Sequence, residues 1–66
     1  MIVKVEIYTQ YADGEIELEE EYEDEVKTEA EAKKTIDDYI RNTAWYGSYV
    51  IGYIDGRVVK RKSVED

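Results

Sequence analysis

Apolar and polar residues alternate along the first ten positions of the chain. Val3, Val5 and Ile7 fall on one side of this alternation, with Lys4 and Glu6 on the other. A period of two residues is typical of a strand with one buried face. Residues 2–11 are therefore predicted to form the first strand.

A tight turn is predicted at Asp13-Gly14. Both central residues of a type I′ turn need a positive φ, which this pair of residue types favours. A two-residue loop makes residues 15–23 the return strand and sets Val5 opposite Tyr22. In this register Glu20 faces inward, which indicates either a β-bulge or an uncovered rim of the sheet.

A capping box marks the start of a helix. Thr28 and Glu31 have the spacing at which the threonine hydroxyl accepts the Glu31 N–H and the carboxylate reaches back to the Thr28 N–H. Apolar residues then recur every three or four positions, which predicts a helix over residues 29–42. The residues of its buried stripe are Ala32, Ile36, Tyr39 and Ile40, with Thr43 as a further candidate.

The last third of the chain predicts a second hairpin. Residues 48–54 and 57–64 are the expected strands, and Asp55-Gly56 is the two-residue turn between them. Apolar residues occupy both faces of the first of these strands. This pattern indicates cover on both sides, either within one subunit or by a second subunit in a homodimer.

Two hairpins joined by one helix predict a single α+β domain over residues 1–66. Its order is ββαββ, with one helix packed on one face of a four-stranded sheet. The order and spacing of the elements resemble the β-grasp arrangement of the small bacterial immunoglobulin-binding domains. That resemblance implies a right-handed connection and parallel pairing of the first and last strands at the centre of the sheet. No binding motif of those domains is present in this sequence.

Composition argues against an enzyme, a cofactor and a bound metal. The 66 residues include no Cys and no His, so disulfides, thiol nucleophiles and the side chain most useful for acid–base chemistry near neutral pH are missing. Zinc sites favour the same two residue types, and no calcium-loop pattern is present. The sequence has no apolar stretch that could span a membrane and no signal-peptide pattern, so we expect a cytoplasmic protein.

Charge directs the functional hypothesis toward a basic protein. The net charge is −8, and residues 15–25 hold eight acids and no base. Such a surface repels nucleic acid and anionic lipid and attracts basic protein surfaces. Five glutamates at alternate positions are expected to project from one face at intervals of about 6.6–6.8 Å. They are Glu15, Glu17, Glu19, Glu21 and Glu23.

Two interpretations of this glutamate row remain open. The row could mimic a phosphate backbone and block the basic groove of a nucleic-acid-binding protein. Small acidic inhibitors that bacteriophages make against host defence enzymes resemble the chain in size and charge. Alternatively, the row could protect the exposed edge of the sheet.

Aromatic residues complete the predicted binding surface. The chain has seven Tyr and one Trp, residue types that recur at protein interfaces. Tyr8 is expected on the outer face of the sheet, and Trp45 and Tyr46 in the connection after the helix. The alternatives to a protein-binding inhibitor are a self-associating structural or scaffold domain and a binder of small ligands between helix and sheet.

Overall fold

The computed structural model describes residues 1–65 as four strands and one helix. The order ββαββ and the α+β class are confirmed, with element bounds within two residues of those predicted. The elements are β1 (Ile2–Gln10), β2 (Ile16–Glu25), α1 (Glu29–Thr43), β3 (Ser48–Ile54) and β4 (Arg57–Ser63).

All neighbouring strands of the sheet are antiparallel, in the order β2-β1-β3-β4. The parallel pairing of the first and last strands that the β-grasp resemblance implied is therefore wrong. The physical reason lies in the two strands of the second hairpin. The apolar β3 takes the central place beside β1, whereas the four cations of β4 lie on an edge strand, where water reaches them.

The hydrophobic core lies between the helix and the two central strands. Helix α1 packs on β1 and β3 and leaves the two edge strands less covered. All core residues have an exposed fraction below one tenth. They are Val3, Val5, Ile7, Ala32, Ile36, Ile40, Val50 and Ile54.

The helix begins at the predicted residue, with one of the two bonds of the predicted capping box. The Thr28 hydroxyl accepts the backbone N–H of Glu31 at 3.1 Å, and the backbone of Thr28 is extended. Across residues 1–65, no helix is both long and apolar enough to cross a bilayer.

Replacing Thr28 with alanine is expected to lower the free energy of unfolding by about 1 kcal/mol. The substitution leaves the N–H of Glu31 without its side-chain acceptor at the first helical turn. Urea denaturation measures the loss, and Thr28→Ser, which keeps the hydroxyl, serves as the control. Equal losses in the two variants would show that the cap bond contributes nothing.

The two hairpin turns differ in type. Asp55 and Gly56 have φ values of 50° and 81°, which confirms the predicted type I′ turn of the second hairpin. In the first hairpin Gly14 has a positive φ, at 90°, and Asp13 does not. A bond of 2.9 Å from the Tyr11 N–H to the Glu15 carbonyl closes a loop of three residues instead of two.

The extra loop residue changes the register of half of the first hairpin. Val5 lies opposite Tyr22 as predicted, but Tyr8 lies opposite Leu18, one position away from the expected pairing. Glu19 is the additional residue at this irregularity, so the predicted β-bulge is present one position before Glu20. A shift of one residue moves side chains to the opposite face. Leu18 therefore lies on the face of the sheet away from the helix.

Candidate protein-binding surface

Strand β2 is an edge strand, and it carries most of the acidic run. It pairs with β1 on one side only, so its other edge is free. Eight acids lie between positions 15 and 25, and every one of them is exposed. We call β2 together with Glu15 the acidic edge.

The predicted single row of five glutamates is wrong. Residues directly opposite each other on paired strands share a face of the sheet. Glu17 lies opposite Thr9 on the helix side, whereas Glu21 and Glu23 lie opposite residues on the other side, which we call the open face. The three-residue loop and the bulge cause this split. The five residues are Glu15 before the strand, Glu17 on the helix side, Glu19 in the bulge, and Glu21 and Glu23 on the open face.

Negative charge consequently lies on both sides of the acidic edge. Within residues 1–65, only one of its eight carboxylates forms an ion pair, between Glu21 and the Lys4 ammonium at 3.4 Å. The residues on the helix side are Glu17, Glu20 and Asp24, and those on the open face are Glu21, Glu23 and Glu25. The edge therefore carries a large charge that the chain itself does not neutralise.

Three tyrosines lie on the open face at the centre of the sheet. Tyr8 of β1 pairs with Tyr49 of β3, and their ring centroids are 6.5 Å apart. Tyr53 lies four residues after Tyr49 in β3, on the same face, with Ile51 between them. The open face is thus aromatic at its centre and acidic along its β2 side.

A buried carboxylate organises this aromatic centre. Glu6 is only 8% exposed. Its Oε1 accepts hydrogen bonds from the hydroxyls of Tyr8 at 2.9 Å and Tyr53 at 2.5 Å. The Lys4 ammonium lies 3.6 Å from Glu6 and also bridges to Glu21, which relieves repulsion between these two directly opposed glutamates.

The pKa values of this cluster follow from its hydrogen bonds. Burial alone would raise the pKa of Glu6, but the bonds from Tyr53 and Tyr8 and the Lys4 charge outweigh it and hold the pKa below its usual value. Burial and the bond to Glu6 raise the pKa of Tyr8 to about 12. At neutral pH Glu6 is therefore ionised and both of its tyrosine partners are protonated.

The connection after the helix brings two more aromatic residues near the first turn. The Gln10 side chain donates to the Gly47 carbonyl at 3.1 Å, so this connection lies beside the end of β1. Trp45 is 36% exposed and Tyr46 is 70% exposed, so both side chains reach solvent. The connection therefore lies at the same end of the sheet as the start of the acidic edge.

The Glu6 cluster consists of Glu6, Lys4, Tyr8 and Tyr53. The sequence pattern predicts the three residues from β1 on one face but not the contact with Tyr53. The alternation of β1 set Lys4, Glu6 and Tyr8 on one face. The contribution of Tyr53 depends on β3 lying next to β1, whereas the expected neighbour was β4. Alternation along β3 puts Tyr49 and Tyr53 on one face of the strand, and the register agrees with this pattern.

The surface holds charged, aromatic and hydrogen-bonding groups but no evident metal centre. Within residues 1–65, no three acidic side chains are arranged to hold a metal ion. Comparison of the chain with known protein families, curated proteins and solved structures gave no match.

Proposed function

We propose that this chain is a non-enzymatic protein-binding module that inhibits or modulates a basic partner protein through its acidic edge. The observation that carries the proposal is an acidic edge, free on one side, with eight acids, no base and one internal ion pair within residues 1–65. Unneutralised charge of this density accelerates association with an oppositely charged surface and selects against acidic partners.

The distribution of charge favours a groove as the partner surface. Carboxylates project on both sides of the strand, so basic residues on two facing walls can pair with them at once. A flat basic surface would contact only one of these two sets. The glutamates do not form a single row, so their spacing along one face does not support a phosphate-like ladder.

Aromatic contact complements the charge. Tyr8 lies on the open face, and Trp45 and Tyr46 are exposed at the end of the sheet where the acidic edge begins. Aromatic side chains at a partly acidic surface contribute desolvated contact, which slows dissociation. Charge steers the encounter and the aromatic residues hold the complex.

The double substitution Glu19→Lys and Glu23→Lys is expected to weaken binding to a basic probe by about tenfold. The probe is a fluorescent peptide rich in lysine and arginine, and its anisotropy gives the Kd. Both glutamates are exposed and form no ion pair within residues 1–65. The loss arises because two attractive contacts become repulsive.

The matched control is the pair Glu31→Lys and Glu65→Lys. It changes the net charge by the same amount but lies outside the acidic edge. We expect this control to bind the peptide nearly as well as the unaltered chain, and added salt to weaken both complexes. Equal weakening by the two pairs would show that overall charge, and not the acidic edge, attracts the probe.

A further inference from the structure

The sheet has a second free edge of opposite charge. Strand β4 pairs only with β3, and it holds four cations and no acid. Within residues 1–65, only Lys60 among them forms an ion pair, with Asp37 of the helix at 2.5 Å. The cations are Arg57, Lys60, Arg61 and Lys62.

The directions of the two edge strands are complementary. Because each neighbouring pair in the order β2-β1-β3-β4 is antiparallel, β2 and β4 run in opposite directions. A second copy placed beside the first in the same orientation would set its β2 next to β4. That contact is again antiparallel, so the sheet continues with every helix on the same side.

The register within one copy shows which residues would meet across such a contact. Arg61 of β4 is paired with Ile51 of β3, and Ile51 is paired with Glu6 of β1. Glu6 is in turn paired with Glu21 of β2, so Arg61 and Glu21 lie at the same height on the two edges of the sheet. A second copy displaced sideways without a shift along the strands therefore sets its Glu21 opposite Arg61. The same reasoning gives three oppositely charged pairs, each on one face of the sheet. They are Arg57 with Asp24, Arg61 with Glu21 and Lys62 with Glu20.

Charge excludes the two symmetric alternatives. Pairing β2 with β2 would bring two acidic strands together, and pairing β4 with β4 would bring two basic strands together. Like charges directly opposite each other on paired strands are destabilising. Only the head-to-tail contact, which does not close on itself, joins opposite charges.

The helix does not obstruct this contact. Helix α1 packs on β1 and β3, and a cavity of about 290 Å³ is lined by residues of both the helix and β4. Ile36 and Val59 supply apolar surface to this cavity, and Lys33, Asp37 and Lys60 supply its charged groups. Strand β4 pairs with β3 on one side only, so an incoming strand can approach its free edge from the side without displacing the helix.

We infer that copies of this chain associate head to tail, with β2 of one copy pairing antiparallel with β4 of the next. This inference goes beyond the proposed function because it assigns a binding role to β4. Charged edge strands ordinarily prevent indiscriminate pairing. Here the opposite signs of the two edges restrict pairing to one partner strand.

A charge exchange within one chain tests the pairing. Sedimentation velocity over a concentration series up to the millimolar range should show a mass that grows without stopping at a dimer. The variants Glu20→Lys/Glu21→Lys and Arg61→Glu/Lys62→Glu should each lose this association. The variant with all four substitutions exchanges the charges and returns to the net charge of −8, so it should associate again.

An equimolar mixture of the two double variants gives a second test of charge complementarity between the edges. Every β2–β4 contact between the two variants, whether intact or exchanged, joins opposite charges, so the mixture should associate although neither variant does so alone. Circular dichroism confirms that each variant is folded. The inference is overturned if the unaltered chain stays monomeric, if either double variant associates alone, or if the fourfold variant stays monomeric.

The same variants distinguish this inference from the proposed function. Arg61→Glu/Lys62→Glu leaves the acidic edge intact and should still bind the basic peptide. Retained peptide binding by a chain that never associates would overturn head-to-tail pairing alone. If the unaltered chain associates but the Glu19→Lys/Glu23→Lys pair binds the peptide as well as the control pair does, the proposed function alone is overturned.

Discussion

Replacing Gly52 with alanine is expected to lower the free energy of unfolding by about 1–3 kcal/mol. Gly52 lies in the central strand β3 directly beneath the helix. A Cβ added there would lie 2.8 Å from Cγ2 of Ile36, closer than carbon atoms approach without a shift. Both residues are buried, so neither the strand nor the helix can yield without disturbing the core. Urea denaturation followed by circular dichroism measures the change.

The expected cause can be isolated by removing the opposing side chain. In an Ile36→Ala background the added methyl group enters the space that the isoleucine leaves. Gly52→Ala should then cost little, or stabilise by about 0.5–1 kcal/mol because alanine is less flexible than glycine. An osmolyte such as trimethylamine N-oxide keeps the weakened background folded during the measurement.

Gly14→Ala is the control for this cycle. Gly14 has a positive φ of 90° and no atom near its Cβ position, so alanine there is strained by backbone conformation alone. Ile36→Ala should not relieve that strain. Additive losses for Gly52 and Ile36 would show that the short distance carries no energetic cost.

The elements of this fold and the pairing within each hairpin could be predicted from local pattern, whereas the pairing between the two hairpins could not. Period-two alternation, the capping box at Thr28 and the Asp55-Gly56 turn act over a few residues, and each was placed correctly. The choice between β3 and β4 as the neighbour of β1 depends on burial of whole strands. The sequence does contain a signal for this choice: β3 is apolar on both faces, whereas β4 holds four cations.

The candidate site shows how one residue in a turn can change a surface. The sequence Asp13-Gly14 suits a loop of two residues or of three, because glycine accommodates the positive φ that both loops need. The three-residue loop moves Leu18 to the open face and separates Glu17 from Glu21. The charge of the edge was therefore predictable, but its division between two faces required the register.

Replacing Glu6 with alanine is expected to lower the free energy of unfolding at neutral pH by about 2–3 kcal/mol. The substitution removes the acceptor that the Tyr8 and Tyr53 hydroxyls share, at a position that is 8% exposed. It also leaves Lys4 and Tyr53 without the carboxylate between them. Urea denaturation measures the loss. The control is Glu23→Ala, which removes an exposed carboxylate on the same face and should cost much less.

The pH dependence of stability should identify Glu6 as an ionised group in the folded protein. Its folded pKa lies below the ordinary value of 4.5, so its contribution is present above that pH and is lost as the pH falls through the folded pKa. Tyr8 acts in the opposite direction. Its pKa rises from 10.0 to about 12, so its contribution is complete below pH 10 and is lost as the pH rises toward 12.

The substitution Glu6→Gln should make the free energy of unfolding less dependent on pH in both the acid and the alkaline range. In the acid range the titrating carboxylate is gone, and in the alkaline range the pKa of Tyr8 is no longer raised by the Glu6 charge. If the free energy of unfolding of Glu6→Gln depends on pH as it does in the unaltered chain, other carboxylates and tyrosines cause that dependence. The Glu6 cluster would then contribute no charge-dependent stability.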